Sequence, residues 1–231
     1  MSTITQAMIL AAGRGERLRP LTDTLPKPLV SVAGKPLIEY HIEKLALLGV
    51  SDIVINQAWL GHKLPEILGD GSRWGVQIRY SDETTALETA GGIKHALPLL
   101  GDEPFLVING DIFIDYLPDV SLAYRKVIQA EADAFLWLVD NPAHHPQGDF
   151  AIDVNGQLTV DDEPKLTFAG LGIYHPRLFI NLPEGKQALG PVLKQSMSQQ
   201  RIQGVHFKAY WCDVGTIERL EQLQSRLLAQ D

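Results

Sequence analysis

The chain has 231 residues, 45% of them apolar and 21% charged, a formal net charge of −8 and one cysteine, Cys212. That composition suits a globular protein that buries its own core, and a lone thiol excludes an internal disulfide and a cysteine-built metal site. The acidic balance argues against a broad nucleic-acid surface, no apolar run approaches the roughly 20 residues that span a bilayer, and no signal-peptide pattern opens the chain, so a cytoplasmic protein binding neither nucleic acid nor membrane is expected.

In chain order, Gln6 to Leu10 (QAMIL) reads as a buried strand leading into a glycine loop. Leu37 to Leu48 places Leu37, Ile38, Ile42, Leu45 and Leu48 on one helical face, with Gly49 as its stop. Strands are predicted over Asp52 to Asn56, Val76 to Tyr80 and Phe105 to Asn109. Helices are predicted over His62 to Leu68 and over Thr89 to Leu97, the latter with Pro98 just past its end. His41 and His95 are expected on helix surfaces. Continuous apolar strands separated by helices imply a parallel sheet covered on both faces. The order predicts an α/β fold of Rossmann-like, doubly wound, mainly parallel type, an α/β/α sandwich. Farther on, Ala134 to Val139, Phe150 to Val154, Gln157 to Val160 and Thr167 to Tyr174 read as strands of a small antiparallel extension, with Asn155-Gly156 as a hairpin turn. Ile217 to Leu228 reads as a closing amphipathic helix. No linker or repeat interrupts the chain. One domain over 1–231 is expected, with a nucleotide-binding half to about 112 and a sugar-phosphate half from about 113.

The loop Leu10 to Val30, LAAGRGERLRPLTDTLPKPLV, is locally basic in an acidic chain, which favours a small anionic ligand over a polymer. It does not fit the P-loop pattern. Gly13-Arg14-Gly15 begins a dinucleotide fingerprint, but Leu18 stands where the third glycine belongs. Ala11, Ala12 and Gly13 let backbone N–H groups come close to an anion. Arg17 and Lys27 can add charge-assisted bonds to phosphates, and Pro26 and Pro28 stiffen the chain around the lysine.

The whole pattern, L-A-A-G-x-G-x-R-L-x-P-L-T, then P-K-P-L, then G-K-P-L-I-E-Y, covers Leu10 to Tyr40 and resembles the signature of the sugar-1-phosphate nucleotidylyltransferases. The resemblance implies that Leu10, Ala11, Ala12, Gly13 and Gly15 lie against a nucleotide, while Arg17 and Lys27 grip its phosphates as catalytic residues. It implies a base-recognition loop at Leu87 to Gly92, with Glu88, Thr89, Gly91 and Gly92 as nucleotide contacts. Asn109 and Gly110 join them at a strand end, and Asp111 and Asp213 (the latter in W-x-D-x-G-T, Trp211 to Thr216) hold Mg²⁺. Sugar-phosphate contacts are expected from Gly148, Asp149, Glu163, Lys165 and Gly170. Lys165 stands in, shifted, for the usual lysine of an E-K-P run. The implied partners are a nucleoside triphosphate and a sugar 1-phosphate, with a monomer as the expectation.

The implied reaction is attack of a sugar-1-phosphate oxygen on the α-phosphorus, with release of pyrophosphate. The nucleophile is already an anion, so positioning and charge neutralisation matter more than a general base. Asn56 to Leu60, Leu68 to Arg73 and Asp140-Asn141-Pro142 with His144-His145 and Gly148-Asp149-Phe150 resemble a uridylyltransferase subgroup. That implies UTP and N-acetylmuramate 1-phosphate, with GTP and mannose 1-phosphate as the alternative pair. The subgroup reads L-E-T-G-G-G where Ala90 stands here. A catalytically inactive binding protein of the same fold and a dinucleotide-dependent oxidoreductase are the readings from other classes. His144-His145 is not expected to bind metal, because adjacent histidines point apart and no third ligand is evident. Cys212 is expected to pack, and Trp59, Trp74 and Trp137 to form core or pocket walls.

Overall fold

The computed structural model describes residues 4–129 and 131–229. Strand β1 (Gln6–Leu10) runs into the glycine loop, which ends in the one-turn helix α1 (Leu21–Thr24). A short ribbon, β2 (Ser31–Val32) with β3 (Lys35–Pro36), leads to α2 (Leu37–Leu48). Then follow β4 (Asp52–Gln57), α3 (Lys63–Leu68), β5 (Gln77–Asp82), α4 (Glu88–Leu100), β6 (Phe105–Asn109), β7 (Ile112–Ile114) and α5 (Ser121–Ile128). The remaining elements are β8 (Ala134–Val139), β9 (Ala151–Ile152), β10 (Leu158–Thr159), β11 (Thr167–Tyr174), α6 (Leu189–Ser198), β12 (Ile202–His206), β13 (Trp211–Asp213) and α7 (Ile217–Leu228).

Seven strands form one sheet in the order β12-β8-β11-β6-β1-β4-β5. Every neighbouring pair is parallel except those made by β11, which runs against both β6 and β8. The sheet is built outward from β1 through β4 to β5, then returns to place β6 on the other side of β1. That reversal is the switch point at which open α/β sheets leave a crevice beyond the strand ends. Two apolar layers cover the sheet. One packs α2 and α5 residues such as Ile38, Ile42, Leu45 and Val127 on one face; the other packs Ile93, Ala96, Leu100, Leu193 and Met197 of α4 and α6 on the opposite face.

The predicted first-half elements are present: β1, α2 and β6 have the predicted ends, and β4, α3, β5 and α4 differ by one to three residues. Helix α4 is the exception at its C-terminus: it continues through Pro98 to Leu100. The missing N–H of a proline removes one bond to the preceding turn, but fully buried Leu100 ties the last turn to the core. The antiparallel extension shrinks to the β9–β10 hairpin around Asn155-Gly156. β8 and β11 belong to the main sheet instead. Every residue of β8 is buried, so it needs cover on both faces, as a central strand has.

His41 is not on a helix surface: it is fully buried on α2, facing the layer of Ile38, Ile42 and Leu45. Burial, aided by the charge of Lys44, pushes its pKa down to about 3. His95 is exposed, as expected. No helix among the described residues is long and apolar enough to cross a membrane.

Candidate active site

Three recesses meet at the C-terminal edge of the parallel strands, and Asp111 lines all three. Its position follows from the turn after β6. Gly110 donates its N–H to the Leu10 carbonyl at 2.9 Å, locking the ends of β1 and β6 together. A Cβ on Gly110 would lie 2.6 Å from that same oxygen, so only glycine permits the approach. The Asp111 carboxylate then meets Lys27, whose Nζ stands 2.8 Å from Oδ2 and whose side chain is 10% exposed. The turn between Pro26 and Pro28 delivers the lysine from the basic loop.

The first recess is a cleft lined by Leu10, Ala11, Ala12, Gly13, Glu88, Thr89 and Asn109, all expected there, together with Lys27 and Asp111. Pro28, Asn56, Glu83 and Ala86 complete it, and these were not anticipated as site residues. Asn56 is 3% exposed, at the end of β4. Its Oδ1 accepts the Ala11 N–H at 2.7 Å, and its Nδ2 donates to Glu83 Oε1 at 2.7 Å. The Ala11 N–H is therefore used within the protein, and Asn56 sets the path of the loop.

Gly91 and Gly92 do not line this cleft. Gly91 and Ala90 donate to the Gln187 carbonyl at 3.1 and 2.9 Å, and a Cβ on Gly91 would run into the Gly185 carbonyl. Gly92 makes room for the Asn56–Glu83 pair, since a Cβ there would sit 2.6 Å from Glu83 Oε1. Both glycines support the cleft from behind. Ala90, fully buried, faces the core at the point where the subgroup pattern has glycine.

The second recess holds Gly13, Gly15, Glu16, Arg17, Lys27, Asp111 and Gly215. Gly15 has φ 66°, and a Cβ there would lie 2.9 Å from Lys27 Cβ, so this glycine sets how closely the two halves of the loop pack. Leu18, in the place of a third fingerprint glycine, is 1% exposed in a small core with Val30, Leu37 and Leu220. Arg14 points away and lies over the Trp59 ring, 4.5 Å from its centroid.

The third recess joins Asn109, Asp111, Asp149, Gly170 and Asp213, as expected, to His144, His145, Thr167, Phe168 and Trp211. Asp111 and Asp213 lie side by side because β7 and β13 pair antiparallel, Asp213 opposite Ile112, with Val214 N donating to the Asp111 carbonyl at 2.7 Å. Asp213 Oδ2 receives Arg219 Nη2 at 2.8 Å, and Oδ1 faces His144 Nε2 at 2.9 Å. The cap of α7 is Thr216, not Asp213: its side-chain oxygen accepts the Arg219 N–H. The adjacent histidines do point apart, but both reach site carboxylates, since His145 Nε2 stands 3.0 Å from Asp149 Oδ1. Asp149 Oδ2 also accepts the Phe168 N–H at 2.8 Å.

Gly170, at φ 71°, makes the bulge in β11 that brings the strand against Asn109. Gly148 turns the chain behind the recess, packed on Asn141 and Lys165, and does not line it. Glu163 and Lys165 lie outside as well. Glu163 is exposed, its Oε2 accepts the Lys165 N–H at 3.0 Å, and the Lys165 ammonium lies 3.7 Å from Glu163 Oε1 and outside the residues that line this recess. Cys212 is inert, its thiol pushed up to about 11 by burial. Trp137 is core; Trp59 and Trp74 line none of the three recesses.

The chain is 50% identical over 226 residues to N-acetylmuramate alpha-1-phosphate uridylyltransferase of Neisseria meningitidis serogroup B, an alignment that covers 95% of this chain and 97% of the relative. It is 34% identical to the protein of that name from Caulobacter vibrioides, with 96% of each covered. A mannose-1-phosphate guanyltransferase of Yarrowia lipolytica is 34% identical over 91% of this chain and 60% of its own length. The solved structure of HddC from Yersinia pseudotuberculosis complexed with GMP-PN superimposes with a TM-score of 0.77 at 22% identity, covering 97% of this chain and all of that one, which establishes the shared fold. Residues 6–230 match the family described as Nucleotidyl transferase. The chain is a member of the nucleotidyl transferase family, an enzyme with the α/β architecture of that family and its basic loop and paired aspartates gathered at the switch point of the sheet.

Proposed function

We propose that this enzyme transfers a uridylyl group from UTP to N-acetylmuramate α-1-phosphate, giving UDP-N-acetylmuramate and pyrophosphate. The observation that carries the substrate pair is the 50% identity, end to end, with the Neisseria meningitidis protein of that name. In this reading the cleft between the ends of β1 and α4 takes the nucleoside. The recess beside Arg17 takes the β- and γ-phosphates, and that between His144 and Trp211 takes the sugar phosphate. The half of the chain to about residue 112 then serves the nucleotide, and the rest serves the sugar.

Asp111 lies where the three recesses join, so the α-phosphate belongs beside it. Lys27 is poised to leave its carboxylate partner for phosphate oxygens, and Arg17 meets the departing pyrophosphate. Both are charge-assisted donors, Lys27 buried, where such contacts are worth most in the transition state, and Arg17 exposed at the mouth of its recess. No histidine is needed as a base, because the sugar phosphate arrives as an anion. His144 and Arg219 hold the Asp213 carboxylate in orientation.

Asp111 and Asp213 fit a hard divalent cation such as Mg²⁺, which takes one or two carboxylates and completes its shell from phosphate oxygens and water. When bound, the ion supplies Lewis-acid neutralisation of the phosphates. The net charge of −8, with a locally basic loop at the site, supports small anionic substrates and not a nucleic acid.

Pyrophosphate release measured across the nucleoside triphosphates and a panel of sugar 1-phosphates tests the assignment. UTP with N-acetylmuramate 1-phosphate is expected to give the highest kcat/KM. A higher value with GTP and mannose 1-phosphate overturns it.

A further inference from the structure

Trp59 lies 37% exposed on the connection between β4 and α3, outside all three recesses. Its one polar atom and its ring face are both spent on the glycine loop. Nε1 donates to the Thr22 carbonyl at 3.0 Å, and the Arg14 guanidinium lies over the ring, 4.5 Å from its centroid. Farther along, Lys63 Nζ donates to the Thr24 carbonyl at 2.8 Å. Both carbonyls belong to α1, a single turn whose last carbonyls have no partner within the helix, so they need donors from outside. Thr22 relays the hold inward. It is 2% exposed, and its Oγ1 donates to the Gly15 carbonyl at 2.8 Å, at the foot of the turn Glu16–Leu18 that carries Arg17. On the other flank of Gly15, Arg14 is drawn over the tryptophan and away from the recess that Gly13 and Gly15 line.

We infer that Trp59 is a positioning residue for the transfer reaction: it braces the loop arm from Arg14 to Thr22 so that Arg17 faces the leaving pyrophosphate. This rests on the phosphate assignment proposed above and deepens it. Arg17 is exposed, so its place is only as definite as that of the short turn bearing it. Leu18 ties one side of that turn to a small core. Trp59, through Arg14 before the turn and Thr22 after it, ties the chain on both flanks. A group displaced by about 1 Å from its productive position can lose most of its effect on a transition state. The effect of Trp59 is local to the Arg17 recess. Ala11, at the nucleoside cleft, is held separately by Asn56, and the sugar recess draws on Asp149, Thr167 and Trp211 instead.

Run in reverse, the enzyme consumes pyrophosphate and UDP-N-acetylmuramate, so the KM of the first reports the Arg17 recess and the KM of the second reports the other two. Should another nucleotide sugar prove the better substrate, it takes the second place. Trp59→Leu removes both the N–H and the ring under Arg14. It is expected to raise the pyrophosphate KM about tenfold while the nucleotide-sugar KM stays within about twofold. Trp59→Phe keeps a ring and loses only the hydrogen bond, with an expected rise of about threefold, and it carries the test if the leucine variant does not fold. A merely structural role lowers the amount of active enzyme or weakens both substrates alike. A pyrophosphate KM that rises by no more than the nucleotide-sugar KM therefore overturns the inference. An undiminished effect of Trp59→Phe in an Arg17→Ala background overturns it too, because a residue acting through Arg17 has nothing left to position there. If Arg17→Ala itself leaves the pyrophosphate KM unchanged, the phosphate assignment fails. If it raises that KM and the Trp59 variants do not, only the role of Trp59 fails.

Discussion

Acid stability offers a quantitative check on how α2 packs beneath the active site. His41 is fully buried, and burial first, then the charge of Lys44, lowers its pKa from 6.5 to about 3; the Ile112 backbone and Asp111 pull weakly the other way. The folded state thus binds the proton less readily than the unfolded chain. This residue's contribution to stability is complete above pH 6.5 and is lost as the pH falls toward 3. Each pH unit inside that window costs at most about 1.4 kcal/mol, so the loss at pH 4 is about 3 kcal/mol. That is a large share of the roughly 5–15 kcal/mol that holds a typical domain. Urea unfolding of the wild type and His41→Leu at pH 7.5, 5.5 and 4 isolates the effect, since the other titrating groups cancel in the difference. The variant is expected to gain about 3 kcal/mol on the wild type between pH 7.5 and pH 4. A difference constant to within about 1 kcal/mol refutes the argument, and with it the placement of a neutral imidazole in that layer.

Three further outcomes follow from the geometry. Asp111→Asn and Asp213→Asn are each expected to lower Mg²⁺-dependent pyrophosphate release at least about 100-fold while circular dichroism stays native, and full activity in either variant removes the proposed metal role. Gly110→Ala puts a methyl 2.6 Å from the Leu10 carbonyl, so thermal unfolding is expected to show a loss of about 2 kcal/mol or more, accompanied by lower turnover. Lys44 is lowered to about 8, chiefly by burial, against 10.5 when unfolded. Lys44→Met is therefore expected to be more stable than the wild type at pH 7, and denaturant titrations should find that advantage shrinking as the pH rises from 8 to 10.5.

The parallel half of the sheet was legible because its signal is periodic: short apolar runs, two of them ending in asparagine, alternate with helices that carry one apolar face. The basic glycine loop was legible for another reason, since small residues, prolines and cations at fixed spacing have few structural uses in common. His41 was misplaced because imidazole counts as polar, although its spacing of three from Ile38 and four from Leu45 put it on the apolar face. Asn56 and Glu83 escaped notice because each is a single polar residue at a strand end, and only the sheet order brings β4 and β5 beside β1. His144 was set aside on sound geometry for metal binding, yet the same outward-pointing pair reaches two aspartates remote in sequence. Where Lys165 points was not legible, because adjacency to a motif says nothing about direction, and its ammonium turns toward Glu163. Position in the sheet was hardest for β11: a buried apolar strand reads alike in either direction.

That reversed strand bears on how such an enzyme changes its substrate. β1 and β6 run up to the edge where the recesses lie, whereas β11 starts there and runs away from it, with Thr167 and Phe168 in the recess proposed for the sugar and the bulge at Gly170 immediately after. The ladder resumes in register with β6 and β8 beyond the bulge, from Gly172 through Tyr174. Before the bulge Thr167 and Phe168 pair with Val139 and Leu138 of β8, while β6 joins the ladder from Leu171 onward. Under the proposed assignment, side chains at the mouth of β11 contact the sugar without touching β6, so changes there are expected to alter the sugar accepted while the loop and aspartate carried by β1 and β6 stay in place.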